Sequence, residues 1–270
     1  MEGKNNMGFY ATHFIYDGVS SSTYGLRISS LGGDTENPGA DVELITQSVY
    51  RKPANYLLGV RQSPPLTIPV TITVETELSA TESSRISKWL FGREDYKKLQ
   101  IIQPDMQYVY YNCIFTNPTL IRYGGIIRGY NANIVCDSPF AWEFPSRISY
   151  TYDTYMVNQN ITINNTSDVV DYIYPIIEFQ SNAFGGYLEI INKSDNRRLF
   201  SITGLNPLKY YRVDNNIQTA TELTSGENYV PNMKGNNYKW FRYINGINNL
   251  NITGTINYIS FINHFPKKVS

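Results

Sequence analysis

The sequence predicts a mainly β protein built as two β-sandwich-type domains, and three observations carry that prediction. Short runs alternate apolar and polar residues with a period of two, separated by Gly, Asn, Asp and Pro, as in antiparallel sheets with one buried face. One segment alone has a strong helical periodicity. Near residue 147 the composition shifts: Asn becomes dense, every later run is strand-like, and the chain divides into domains 1–147 and 148–270.

In the first half, Phe14 lies in an apolar strand that turns at Asp17-Gly18, a type I′ pair because both residues tolerate positive φ. Gly25 frees the backbone as Leu26 and Ile28 resume an apolar face. The polar loop Gly32–Gly39, the alternating run Val42–Val49 and the break at Arg51–Asn55 suggest a hairpin projecting from the core over about residues 32–56. The clearest strand is Leu66–Glu77, with Leu66, Ile68, Val70, Ile72 and Val74 on one face and a Thr/Glu row on the other. Pro69 removes a ladder donor, which is easiest at a sheet edge.

Ser79 and Glu82 form a capping box, and Ile86, Trp89 and Leu90 then fall at i, i+3 and i+4. This predicts a helix over 80–91, stopped by a left-handed Gly92. Strands follow at Leu99–Ile102, at Val109–Phe115 with Tyr111 and Cys113 inward, and at Gly129–Cys136 with Tyr130, Ala132, Ile134 and Cys136 inward; Gly124-Gly125 makes the turn between the last two. The second half reads as strands at Tyr172–Gln180, Tyr187–Asn192, Leu199–Thr203, Tyr210–Asp214, Trp240–Ile244, Leu250–Thr253 and Thr255–Asn263, a sandwich or jelly roll without a helix. Asp214-Asn215-Asn216 and Asn245-Gly246 are the hairpin-turn signals.

The 23 basic residues balance the 23 acidic ones, which argues against a partner bound by phosphate neutralisation. A neutral, Tyr- and Asn-rich surface instead suits a subunit made for assembly. Met1–Asn6 opens polar, and no run approaches the roughly 18 apolar residues of a spanning helix, so no membrane segment and a cytosolic origin are expected. His13 and His264 lie near opposite ends, disfavouring a histidine metal site or triad. Gly124–Gly129 lacks the Lys-Ser/Thr of a phosphate loop, and Asp34, Glu36, Asp41 and Glu43 lack EF-hand spacing. Cys113 and Cys136 are too far apart for a redox or zinc motif and read as buried thiols. Neither a cofactor, a metal nor a catalytic residue is predicted.

Two candidate chemistries remain. Glu75 and Glu77 share a strand face roughly 6.5–7 Å apart, a separation overlapping that of inverting glycosidases, but they continue an exposed Thr row with nothing to split their pKa values. Tyr172, Tyr174, Tyr238, Trp240 and Tyr243 are an alternative: aromatic platforms of a carbohydrate-binding module contributing to host-surface adsorption.

The order of the motifs resembles the distal tail protein family of long-tailed bacteriophages. An apolar strand with Phe14, the turn Asp17-Gly18, then Tyr24-Gly25-Leu26 resembles the family's opening; a Thr/Ile strand, a helix carrying Trp89-Leu90, and Ser138-Pro139-Phe140 follow in its order. In the second half, Tyr174-Pro175-Ile176-Ile177, Tyr211–Asn215 and Asn245–Ile252 resemble the family's strand entry, hairpin and closing segments. Asp17 stands where Asn is commoner, and no inserted domain interrupts the second half. The resemblance implies a structural, non-enzymatic protein of the virion tail tip, assembled in the host bacterial cytoplasm. It also implies a tail-tube-like N-terminal sandwich with one packed helix and a projecting hairpin, and a jelly-roll or galectin-like C-terminal domain. The partners it implies are a homohexamer, the tail tube protein, a tail-associated tail-tip hub protein and a receptor-binding protein or fibre, with DNA passing through the ring without specific binding.

Overall fold

The computed structural model describes residues 13–31, 42–62, 64–103, 106–153 and 155–268. It separates into two compact units, Met1–Trp142 with Lys267–Ser270, and Glu143–Pro266. The Met1–Asn6 opening, the Gly32–Gly39 loop with Asp34 and Glu36, Asp41, and the side chains of Glu43 and Glu75 lie outside the described residues.

The first unit contains β1 (His13–Tyr16), β2 (Val19–Ser20), β3 (Leu26–Leu31), β4 (Val42–Gln47), β5 (Tyr56–Gln62), β6 (Thr67–Leu78), α1 (Ala80–Phe91), β7 (Lys97–Ile102), β8 (Val109–Tyr123), β9 (Ile126–Cys136) and β10 (Ala141–Glu143). Its ladder runs β2-β1-β7-β8-β9-β6-β3, antiparallel throughout. Asp17 and Gly18 both have positive φ, at 50° and 74°, so Tyr16 pairs directly with Val19 as the type I′ turn requires. β8 runs well past Phe115, because an irregularity at Asn117, with φ 52°, absorbs Pro118 and pairing resumes from Thr119. β6 is an inner strand, yet Pro69 costs no ladder bond among the described residues. Leu66 turns its N–H and C=O toward β9, so alternation points Pro69 the other way, where the described pairing with β3 stops at Val70.

The capping box of α1 is complete: Glu82 N–H donates to Ser79 Oγ and Ser79 N–H to Glu82 Oε2. Ser79's hydroxyl and then its N–H hold the Glu82 carboxyl below its ordinary pKa. Ile86 and Leu90 are fully buried, each burial stabilising by roughly 1.5–3 kcal/mol. Gly92 ends the helix differently from expectation, with φ −92° rather than a left-handed value. Glycine is required there by proximity, since a Cβ would sit 2.6 Å from the Lys88 carbonyl oxygen.

The second unit contains β11 (Ser146–Thr151), β12 (Val157–Asn165), β13 (Ile176–Ser181), β14 (Gly186–Asn192), β15 (Arg198–Leu205), β16 (Tyr210–Asp214), β17 (Thr219–Glu222), β18 (Gly246–Gly254) and β19 (Ile256–Asn263). They form two antiparallel sheets, β11-β19-β13-β16-β17 and β12-β18-β14-β15, around a core that includes Phe179, Phe200, Phe241 and Phe261. Glu178 ties three strands of the first sheet, accepting from Arg147 at 2.8 Å and Arg212 at 2.6 Å.

Trp240–Ile244 is not a strand, contrary to its alternation; its one ladder element is an isolated bridge from Tyr243 to Ile173. Side chains supply several further partners. Phe241 N–H donates to Asn215 Oδ1 at 2.8 Å, Arg198 Nε donates to the Trp240 carbonyl, and Asn192 Nδ2 to that of Arg242. Asn248 accepts from Ile244 N–H at 2.9 Å and returns a bond from its Nδ2 to the same residue's carbonyl at 2.9 Å. The dense Asn content is thus partly a substitute for a missing strand. Gly246, at φ 79°, opens β18 instead of joining two paired strands, and Tyr172–Tyr174 precede β13, which starts at Ile176.

Candidate assembly interface

The hairpin β4–β5 forms its own two-stranded sheet, with no ladder to the rest among the described residues. Its return strand reaches Gln62, beyond the expected limit at residue 56. Leu44 and Ile45, consecutive and therefore on opposite faces, are 58% and 47% exposed, and Leu58 is 63% exposed. Both faces of the ribbon therefore present apolar side chains to water. The tip is cationic and aromatic: Lys52 Nζ donates to Tyr56 Oη at 2.6 Å, and Arg51 lies 5.3 Å over the Tyr50 ring. An isolated two-stranded hairpin is marginal in water, and exposed contiguous apolar surface marks an interaction site.

Phe14, Tyr24 and Trp89 converge in the core of the same unit. The Trp89 ring stacks on Phe14 at 5.9 Å and meets Tyr24 at 5.2 Å, while its Nε1 donates to the Tyr16 carbonyl. Asp17 ion-pairs with Arg93 at 2.9 Å, Gly25 caps the 3-10 turn Ser21–Tyr24 at φ 63°, and Leu26 and Leu90 are fully buried. Sequence reasoning missed Ser21, a buried hydroxyl that accepts from Phe14 N–H and donates to the Leu26 carbonyl. Pro139 is half-buried, and Phe140 is buried outside this cluster, its N–H donating to Ser138 Oγ.

The sugar-platform candidates do not come together in one site, and of the Glu75 and Glu77 pair only the Glu77 side chain is described. Glu77 is exposed at a shallow groove that it shares with Glu82, Arg122 and Ile126. Trp240 and Tyr243 are core residues, 8% and 0% exposed, and cannot stack on a ligand. The Tyr172 face is taken by the Arg242 guanidinium, 3.4 Å from the ring centroid. Arg242 in turn pairs with buried Asp195, whose hydrogen bonds raise its pKa further. Tyr238 is 47% exposed, whereas Trp240 is buried. Gly124-Gly125 is a turn with both residues at positive φ. Among the described residues no group of His, Cys, Asp and Glu could hold a metal, and no helix is long and apolar enough to cross a membrane.

One end of the second unit gathers a further exposed apolar group. Leu208 N–H donates to the Ser181 carbonyl and Asn182 Nδ2 to that of Tyr155, tying three loops that carry Phe184 (85% exposed), Leu208 (73%), Tyr155 and Met156.

The chain is thus a two-unit β protein with an aromatic core in each unit and exposed apolar groups both on the β4–β5 arm and at one end of the second unit. The family comparison makes that specific. Residues 9–138 match the phage tail protein N-terminal domain and residues 140–262 the phage tail C-terminal domain, so the chain belongs to this phage tail protein family. Among solved structures, the phage SPP1 Dit protein, described as a paradigm of the hub adsorption apparatus in phages infecting Gram-positive bacteria, superposes with a TM-score of 0.67 at 15% identity, covering 94% of this chain and 98% of that one. A chain of the phage P2 baseplate in its activated conformation with Ca gives 0.58 at 9% identity over 94% and 97%, and the same baseplate with Sr gives 0.56 at 10% over 93% and 97%. No curated protein matches in sequence. The protein is a structural phage tail protein by its family, and its family and structural neighbours are structural tail and baseplate proteins rather than enzymes.

Proposed function

We propose that this protein is a distal tail protein forming a homohexameric ring that joins the tail tube to the tail tip, with the β4–β5 arm clasping the neighbouring copy. The observation that carries this reading is the arm itself, whose two faces both expose apolar residues that no other described strand covers. The first unit builds the ring against the tail tube protein and the tail-associated hub protein. The second anchors a receptor-binding protein or fibre, for which the Tyr155, Met156, Phe184 and Leu208 end is the candidate surface. DNA crosses the ring through a central channel, and the zero net charge of the chain suits passage without retention. The ring is assembled in the host cytoplasm and resides at the virion tail tip.

Negative-stain microscopy of the purified chain with its tube and tail-tip partners tests this reading. Six-fold rings are expected; monomers at every concentration and with every partner would sink it.

A further inference from the structure

Cys113 and Cys136 are the only cysteines of the chain, and both are free and fully buried. Far apart in sequence, they are direct partners in the β8–β9 register. The adjacent position shows what kind of pair they make. Asp137 N–H donates to the Asn112 carbonyl at 2.9 Å, whereas Cys136 N–H turns away from β8 and donates to the Leu66 carbonyl at 2.8 Å. Cys113 and Cys136 therefore occupy a non-hydrogen-bonded pair, where opposed Cα atoms approach to about 4.5 Å, inside the roughly 4.4–6.8 Å range that a disulfide spans. Both side chains belong to the same core cluster.

We propose that Cys113 and Cys136 are the site of a cross-strand disulfide, formed when the protein meets an oxidising small-molecule disulfide outside a reducing compartment. The timing rests on the tail-tip reading above; the geometry does not. The thiolate of one cysteine attacks a sulfur of oxidised glutathione, expelling one glutathione thiolate and leaving a mixed disulfide. The second cysteine's thiolate attacks the protein sulfur of that mixed disulfide, closing the Cys113–Cys136 bond and expelling the second glutathione. The two protons lost by the cysteines end on the two glutathione thiolates, and the two electrons lost by the protein reduce the glutathione disulfide. Burial pushes both thiols up, Cys136 to about 12, so the folded, closed pair exchanges slowly. Oxidation of the folded protein then proceeds through rare opening of β8 from β9, and in vitro also during refolding. The bond would staple the base of a hairpin whose far end exposes Leu120, Tyr123 and Ile126, and so fix its register.

The test is to refold the full chain in a buffer of oxidised and reduced glutathione and, separately, in reductant. Alkylation, intact mass and peptide mapping are then read for each sample. The expected result is a Cys113–Cys136 linked peptide, an intact mass lower by two hydrogens, and an unfolding midpoint several degrees above the reduced form. A Cys113→Ala plus Cys136→Ala variant should show the same midpoint in both buffers. Two alkylatable thiols after oxidative refolding, cross-links only between chains, or a linked form that melts below the reduced one would overturn the proposal. Ring formation is scored on the same samples: a linked chain that never forms rings counts against the tail-tip reading and leaves the disulfide standing.

Discussion

The β4–β5 arm and the segment Trp240–Ile244 are opposite cases of an incomplete element. The arm has its own strand pairing and no core, because Leu44, Ile45 and Leu58 stand in solvent. Trp240–Ile244 has a core and almost no ladder, because Trp240, Phe241 and Tyr243 are buried while the backbone is held by Asn192, Asn215, Asn248 and Arg198. Each element lacks what the other has. What the inner segment lacks can be supplied by side chains of the same unit, so its deficit is closed locally. What the arm lacks is apolar cover, which no described strand of the first unit provides, and under the proposed function a neighbouring copy supplies it.

The inner segment should tolerate loss of neither its core nor its asparagines. Trp240→Ala should cost about 3–5 kcal/mol in urea unfolding of the second unit. Wild-type stability would instead restore Trp240 as an exposed platform. Asn248→Ala should cost about 1–3 kcal/mol, since it leaves the Ile244 N–H without its partner in a part-buried site, and hydrogen exchange at Ile244 should accelerate. Unchanged exchange there would show that some other group satisfies that backbone.

An acid titration sharpens the picture of how the second unit is held. Glu222 accepts from the Ser225 hydroxyl and from the Thr224 and Ser225 N–H groups, which pull its pKa from 4.5 to about 2. The unfolded chain binds this proton more readily, so the contribution is complete above pH 4.5 and disappears as pH falls toward 2. The fall in unfolding midpoint over that window should be shallower in Glu222→Gln; parallel curves would contradict the assignment. The smallest effect on stability belongs to the arm. Leu44→Asp with Leu58→Asp should leave the isolated chain's unfolding free energy within about 0.5 kcal/mol, as for exposed sites without a special role.

Much of the fold is legible locally. The Asp17-Gly18 turn, the Ser79–Glu82 capping box and the alternation of Leu66–Glu77 depend on neighbours in sequence, and each reads correctly. Features set by distant partners do not. Alternation marks Trp240–Ile244 as a strand because its side chains are buried like one, while some of the Asn residues replacing its ladder lie far off in sequence, Asn192 50 positions before Arg242 and Asn165 79 positions before Ile244. Tyr56–Gln62 lacks alternation because neither face of the arm is buried, so the return strand gives no periodic signal. The facing of Cys113 and Cys136 follows from register, which no spacing rule reveals. Of the candidate interface, the polar run before Val42 and the alternation after it signal a projection, but not that its apolar residues stay exposed.

The most direct test of the arm's role compares the assembled mass of the wild-type chain with that of Leu44→Asp plus Leu58→Asp, by light scattering across concentration. The wild type should reach six copies while the double variant stays monomeric with an unchanged unfolding midpoint; equal assembly of the two would contradict the assignment of assembly to the arm.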